Sequence, residues 1–299
     1  MAAAVARVRA AFARLCELRV SGFLDEMARL SAARASQAMA SEPLAALESR
    51  AKAAPRGSRL VLSTQGFDVI AELKLMSPAA GRLGAHNEDW LKRVVAYAQG
   101  GAAAVSVLTE PSRFAGSLEH LRQASAALAP FKVPTMRKDF LVDPYQVLEA
   151  RAAGAGGVLL IVRMLSRSQM LQLLDAAAEH GLFVLLEAFD ADDLHAAREL
   201  LAARIHGRTG GGVDDVLVGI NSRDLRTLEV VPERFEVLAP QLLRDRPAVA
   251  ESGVATASDA VRMMRLGFRL ALIGTALMSR DDPQQLLREI LATTRTVKA

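Results

Sequence analysis

"VPTMRKDFLVDPYQVLEARAAGAGGVLLIV" (residues 133–162) holds two short apolar runs, 133–137 and 156–162, on either side of a segment with helical periodicity. Asp143 before Pro144 reads as a helix start, because a carboxylate accepts from free backbone N–H groups and proline is pre-set for the first turn. Strand, helix and second strand, joined by a glycine-containing turn, form a βα unit whose strands run parallel. The first run ends in Arg137-Lys138-Asp139, a charged cluster where a buried strand meets its loop.

The theme recurs on both sides. Apolar runs at 68–74, 103–108, 133–137, 156–162, 182–188, 216–221, 247–252 and 269–274 read as eight strands. Helices are expected at 88–99, 143–153, 167–180, 190–203, 232–239, 256–266 and 283–294, with Thr256 as a further cap and a less regular link around 116–128. Eight units, with no glycine-rich nucleotide loop after the first strand, predict an α/β fold of the closed (β/α)8 TIM barrel type rather than an open doubly wound sheet. Residues 67–299 would form the barrel. Residues 1–66 would be a helical extension capping one mouth, with helices in "FLDEMARLSAARASQAMA" and "PLAALESRAKA".

Of the 299 residues, 51% are hydrophobic and 23% charged, the balance of a soluble globular protein. No uncharged apolar run reaches the ~18 residues of a membrane span, and the arginine-interrupted start lacks a cleavage-site pattern, so a cytoplasmic location is expected. The single cysteine, Cys16, excludes an internal disulfide and a thiolate metal cluster. The net charge of +4 is spread among acids, without like-charge runs and with 4% aromatic residues, which gives nucleic-acid binding little support. Only six of the 37 basic residues are lysines (52, 74, 92, 132, 138 and 298), so a lysine at a strand end is informative: its pKa is the more tunable.

In such barrels the C-terminal strand ends build the active site, while the opposite face serves stability. Those ends carry Glu72 and Lys74, two apart and so on one side of the strand, then Lys138, Glu187, Asn221 with Arg223, and Glu251 with Ser252. The alternative is a set of salt bridges filling the barrel. Inner layers of these barrels are mostly branched apolar residues, however, so acids and lysines gathered at one mouth point to chemistry. The last two strands run into "AESGVAT" (250–256) and "LIGTALM" (272–278), small-residue turns with Gly253 or Gly274 and a hydroxyl at Ser252 or Thr275. Loops in these places commonly bind phosphate, so a phosphorylated small-molecule substrate is implied. The five histidines have no metal-ligand spacing and none reaches a strand end, which disfavours metal catalysis and a serine triad. Proton transfer with Lys as acid and Glu as base remains.

Seven stretches, in order, resemble the indole-3-glycerol phosphate synthase family of the tryptophan pathway: "IAELKLMSP", "VLTEPSRFAG", "VPTMRKDFLVDPYQVLEARAAGA", "LLEAFD", "GINSRDL", "AESGV" and "IGTALM". The resemblance covers about residues 22–296. It implies ring closure, decarboxylation and dehydration of 1-(2-carboxyphenylamino)-1-deoxyribulose 5-phosphate, without cofactor or metal. It also gives Lys138 the role of general acid and Glu187 that of base in dehydration. Lys74 matches a position that contacts substrate and that could be the acid of the second step. Glu72, Asn221 and Glu251 match residues that orient or stabilise the reacting centre. Ser77, Ser252, Gly253, Gly274 and Thr275 match the phosphate-binding set, and Arg223 a residue near the anthranilate carboxylate. Phe114 either packs on the aromatic ring or anchors its loop.

Leu75, Met76, Ala79-Ala80, Ser222 and Phe189 depart from the family pattern, "HGRTGGGVDD" (206–215) is an addition expected on the stability face, and residues 1–20 extend its usual start. These changes leave open a divergent paralogue acting on a substituted anthranilate derivative. A non-catalytic phosphate-binding barrel would predict broken acids or lysines, and none is broken. Phosphoribosylanthranilate isomerase would need a cysteine within the barrel. The chain is expected to be a monomer or weak homodimer without nucleic-acid or membrane partners.

Overall fold

Period-two alternation sends every second residue of the apolar runs inward, and the runs close side by side into a parallel barrel. The computed structural model describes residues 22–78, 81–83, 89–207, 216–224 and 227–297, without the side chains of 205–207. The barrel strands are β1 (Asp68–Leu73), β2 (Ala104–Leu108), β3 (Thr135–Lys138), β4 (Gly157–Ile161), β5 (Phe183–Ala188), β6 (Val216–Asn221), β7 (Ala248–Glu251) and β8 (Leu270–Ile273). Each pairs in parallel with the next, and β8 closes on β1 with Asp68 opposite Leu270. All eight expected strands form, and their ends move by no more than about two residues, the usual uncertainty of boundaries.

The helices are α1 (Phe23–Ser41), α2 (Leu44–Ala53), α3 (Trp90–Gln99), α4 (Pro111–Phe114), α5 (Leu118–Leu128), α6 (Pro144–Ala152), α7 (Arg167–Glu179), α8 (Ala191–Gly207), α9 (Arg234–Leu238), α10 (Ala257–Arg265), α11 (Thr275–Met278) and α12 (Pro283–Thr296). Asp143 caps α6 by accepting from Tyr145 N at 2.8 Å, and Thr256 caps α10 by accepting from Asp259 N at 3.2 Å. The link around 116–128 is a regular helix after all: Ser117 caps α5, and Leu121, Ala124 and Leu128 form its buried stripe. The loop after β1 contains a small antiparallel hairpin, Met76–Ser77 against Gly81–Arg82, that the sequence did not announce. Most of "HGRTGGGVDD", residues 1–20 and Ala79-Ala80 lie outside the described residues. Among the described residues no helix is long and apolar enough to cross a membrane.

Two apolar layers result. Ile70, Ala104, Met136, Leu159, Leu185, Leu217, Val249 and Leu270 fill the barrel, and the residues between them on the strands face a larger shell under the helices. Each Val, Leu, Ile or Met among them contributes about 1.5–3 kcal/mol on burial. α1 lies over the C-terminal mouth, with Met27 in the inner cluster and Phe23, Leu24 and Leu30 packed on it. α2 packs Leu47 and Ala51 on Tyr145 and Leu148 of α6. Leu60 and Leu62 pack on the inner cluster, and Ser63 N donates to Asp68 Oδ2 at 2.9 Å at the start of β1.

Candidate active site

Because Glu72, Lys138, Glu187, Asn221 and Glu251 occupy inward positions at the last turns of their strands, they meet where the barrel opens into a cavity of about 420 Å³. Lys74, Arg223, Ser252, Gly253, Gly274, Thr275 and Phe114 line it as well. Ser77 is the sequence-predicted residue not among them; it is buried on the hairpin.

The charges form two groups. Lys74 Nζ lies 3.0 Å from Glu72 Oε1, and Lys138 Nζ lies 3.1 Å from Glu187 Oε2 and 3.5 Å from Glu251 Oε2. Burial alone would raise the Glu72 carboxyl, but Lys74, Lys138 and Arg223 hold it below the ordinary value. Burial alone would lower Lys138, yet the Glu187, Glu251 and Glu72 carboxylates hold its ammonium above the usual lysine range. Glu251 goes the other way: burial and the nearby Glu187 carboxylate push it up to about 8, with Lys138 only partly opposing. The site is thus an ammonium set between Glu187 and a Glu251 carboxyl whose surroundings favour the neutral form.

Asn221 joins this group to the turn after β7. Its Nδ2 donates to Glu187 Oε1 at 2.6 Å, and its Oδ1 accepts from Ser252 Oγ at 2.9 Å and Arg223 N at 2.9 Å. Ser252 and Gly253 both have left-handed backbone, φ 65° and 79°. For a serine this is strained and persists only where contacts enforce it; here Ser222 Oγ donates to Ser252 O at 3.1 Å. Ser222, a departure from the family pattern, therefore braces the turn. Two glycines also matter by what they leave open: a Cβ on Gly219 would stand 2.1 Å from Glu251 Oε1, and one on Gly274 2.3 Å from Glu72 Oε1. Gly219 was missed from sequence, although a glycine inside a strand is itself a signal of close approach.

An apolar wall completes the cavity. Phe23 and Phe140 meet edge to face at 5.8 Å, Phe114 lies 6.1 Å from Phe140, and Leu159, Ile161 and Phe189 continue the lining. Leu159 and Ile161 were readable from inward strand parity; Phe140, two residues past the end of β3, and Phe23 were not. Phe189 packs beneath the Arg163 guanidinium, 4.8 Å from its ring centre. Leu75, by contrast, packs against the outer shell.

α1 is fastened over this wall by Arg34, which donates to Asp139 Oδ1 at 2.7 Å and lies 3.5 Å from Glu110 Oε1. Both acids are buried. Arg34→Gln takes a cation from Glu110, while Asp139 keeps Arg137 at 3.2 Å, and since Arg34 is partly exposed the expected loss is about 1 kcal/mol, or about 2 °C in Tm. Thermal melting checks this; an unchanged Tm would show that α1 is held without the ion pairs. Among the described residues no group of three or more His, Cys, Asp or Glu could hold a metal ion.

Known proteins match this picture at two levels. The solved structures of 3-hexulose-6-phosphate synthase from Salmonella typhimurium (TM-score 0.55, 14% identity, 76% of this chain and 98% of that one) and thiamine phosphate pyrophosphorylase from Pyrococcus furiosus (TM-score 0.53, 14% identity, 77% and 96%) share the fold. Curated indole-3-glycerol phosphate synthases are nearer in sequence. That of Nocardioides sp. is 42% identical over 236 residues, covering 79% of this chain and 84% of the relative. That of Koribacter versatilis is 38% identical over 276 residues, covering 91% and 98%. The family model described as indole-3-glycerol phosphate synthase matches residues 24–290, through every strand of the barrel and α1 over its mouth, and the chain belongs to that family.

Proposed function

We propose that this chain, a carboxy-lyase, closes the indole ring, converting 1-(2-carboxyphenylamino)-1-deoxyribulose 5-phosphate into indole-3-glycerol phosphate, CO2 and water without a cofactor. The observation that carries the reading is Lys138 Nζ held 3.1 Å from Glu187 at the floor of a cavity that has an apolar wall on one side and the 252–255 and 274–276 turns on another. A cation beside a carboxylate serves a reaction that develops an alkoxide and sheds a carbon-bound proton.

The aromatic ring packs on Phe114 and Phe140, its carboxylate faces Arg223, and the phosphate sits on Ser252, Gly253, Gly274 and Thr275. The ring carbon that bears the carboxylate attacks the ketose carbonyl, and Lys138 protonates the oxygen. CO2 leaves, its bonding pair restoring the aromatic ring. The new hydroxyl is protonated and departs as water, while Glu187 takes a proton from the methylene carbon beside the nitrogen. Asn221 holds Glu187 in place, Glu72 holds Lys74 against the substrate, and Ser77, on its hairpin beside the mouth, belongs with the phosphate-binding set. Residues 1–66 serve as the extension and 67–299 as the catalytic barrel of a cytoplasmic monomer or weak homodimer.

Incubating the purified protein with the substrate and a chelator, and following indole fluorescence, tests the reading. Prompt indole formation is expected. Tight binding without product would overturn it in favour of a changed substrate or a binding barrel.

A further inference from the structure

The reaction proposed above places two protons on one oxygen atom, first on the carbonyl and then on the hydroxyl that leaves as water. It recovers only one, from the methylene carbon. Since the carboxylate anion departs as neutral CO2, each turnover takes up one proton net. The site therefore needs two proton deliveries for each proton its base collects.

Glu251 is built for the second delivery. Its side chain is 1% exposed, and both carboxyl oxygens are buried without a hydrogen-bond partner among the described residues. Oε1 is turned to the space that Gly219 leaves empty, next to Leu185. Oε2 lies 3.5 Å from Lys138 Nζ, and Lys138 is 17% exposed. A proton leaving Glu251 thus passes through Lys138. We propose that Glu251 is the proton store of the site: after Lys138 has given its proton to the carbonyl oxygen, Glu251 recharges it, and the same lysine then protonates the departing hydroxyl.

The transfers balance. In the resting site Lys138 is the ammonium and Glu251 the neutral acid. The first donation leaves the amine, and Glu251 restores the ammonium and becomes a carboxylate. The second donation leaves the amine again, and Glu187 returns the methylene proton to it across 3.1 Å. One proton from solvent then refills Glu251, which is the net proton of the reaction. The charged groups around Glu251 are Lys138 from β3, Glu187 from β5 and Glu72 from β1, with Lys74 paired to Glu72 and Arg223 beyond β6. Two carboxylates against one adjacent lysine keep the store filled near neutral pH, where burial has raised its carboxyl to about 8.

The proposal rests on the ring-closing reading, and a single-turnover experiment separates the two. Enzyme in excess is mixed with substrate, and CO2 release and indole fluorescence are followed separately for wild type and Glu251→Gln. The wild type is expected to give both signals, with the indole rate falling as pH rises through about 8, because the acid form is the active one. In Glu251→Gln, CO2 release is expected within about tenfold of wild type, indole formation about 100-fold slower, and the alkaline fall absent. Equal slowing of both signals, the same split in Lys74→Met instead, or a wild-type profile flat through pH 8 to 9 would overturn the store. A wild type that yields neither CO2 nor indole would overturn the ring-closing function itself.

Discussion

Lys138→Met is expected to lower turnover about 10⁴-fold, combining the loss of a general acid with the loss of a fixed cation beside the developing alkoxide. The measurement is indole formation at saturating substrate, together with binding of the substrate measured by calorimetry. Binding is expected to persist, because the 252–255 and 274–276 turns and the phenylalanine wall do not depend on the lysine. The fold is expected to persist too, with a pH signature. Without the ammonium, Glu251, whose carboxyl burial already raises to about 8, loses the cation that opposes that rise, so its folded pKa climbs further. A raised carboxyl costs stability as pH climbs, but wild type carries the same cost until its own Glu251 ionises at about 8, so Tm should match wild type up to about that pH and fall below it only at higher pH. Near-normal turnover in this variant would remove Lys138 from the mechanism.

Gly219→Ala is expected to reduce kcat/KM about 100-fold while changing stability by only about 1 kcal/mol. A methyl group here would stand 2.1 Å from Glu251 Oε1 and 3.1 Å from Leu185 Cδ1. The strand backbone cannot yield, since Gly219 is paired with Glu187 on β5 and Val249 on β7. The carboxyl at the end of a flexible side chain moves instead, and it moves relative to Lys138. Steady-state kinetics and thermal melting on the same preparation distinguish this from a packing defect. A large fall in Tm with kcat/KM preserved in the folded fraction would mean that the glycine serves the barrel wall rather than the site.

The departures from the family pattern divide by location once the side chains are placed. Leu75 packs into the outer shell, where its apolar character suits its neighbours, and Ser222 holds the turn after β7 through Ser252 O. Phe189 alone of these three lines the cavity, beneath Arg163, which is itself tied to Asp193 at 2.8 Å. Substrate preference is therefore expected to respond to Phe189 more than to Leu75.

The sequence by itself determined the barrel, the capped helices and the identity of the strand-end residues. Those follow from local physics: a period of two names the inward side of each strand, and a carboxylate or hydroxyl before a helical run satisfies its first N–H groups. Only the tertiary structure decided that Lys138 pairs with Glu187 and Glu251 while Lys74 pairs with Glu72, since barrel closure and register set those distances. It also took the tertiary structure to set Ser77 off the cavity lining and to bring Phe23 and Arg34 to the mouth. The Arg34–Asp139 bond spans 105 positions of chain, and no local period carries information across such a separation. Glu251 shows the difference most clearly: its place at a strand end is written in the sequence, but its two oxygens lose solvent only when β6, β7 and the lysine of β3 close around them.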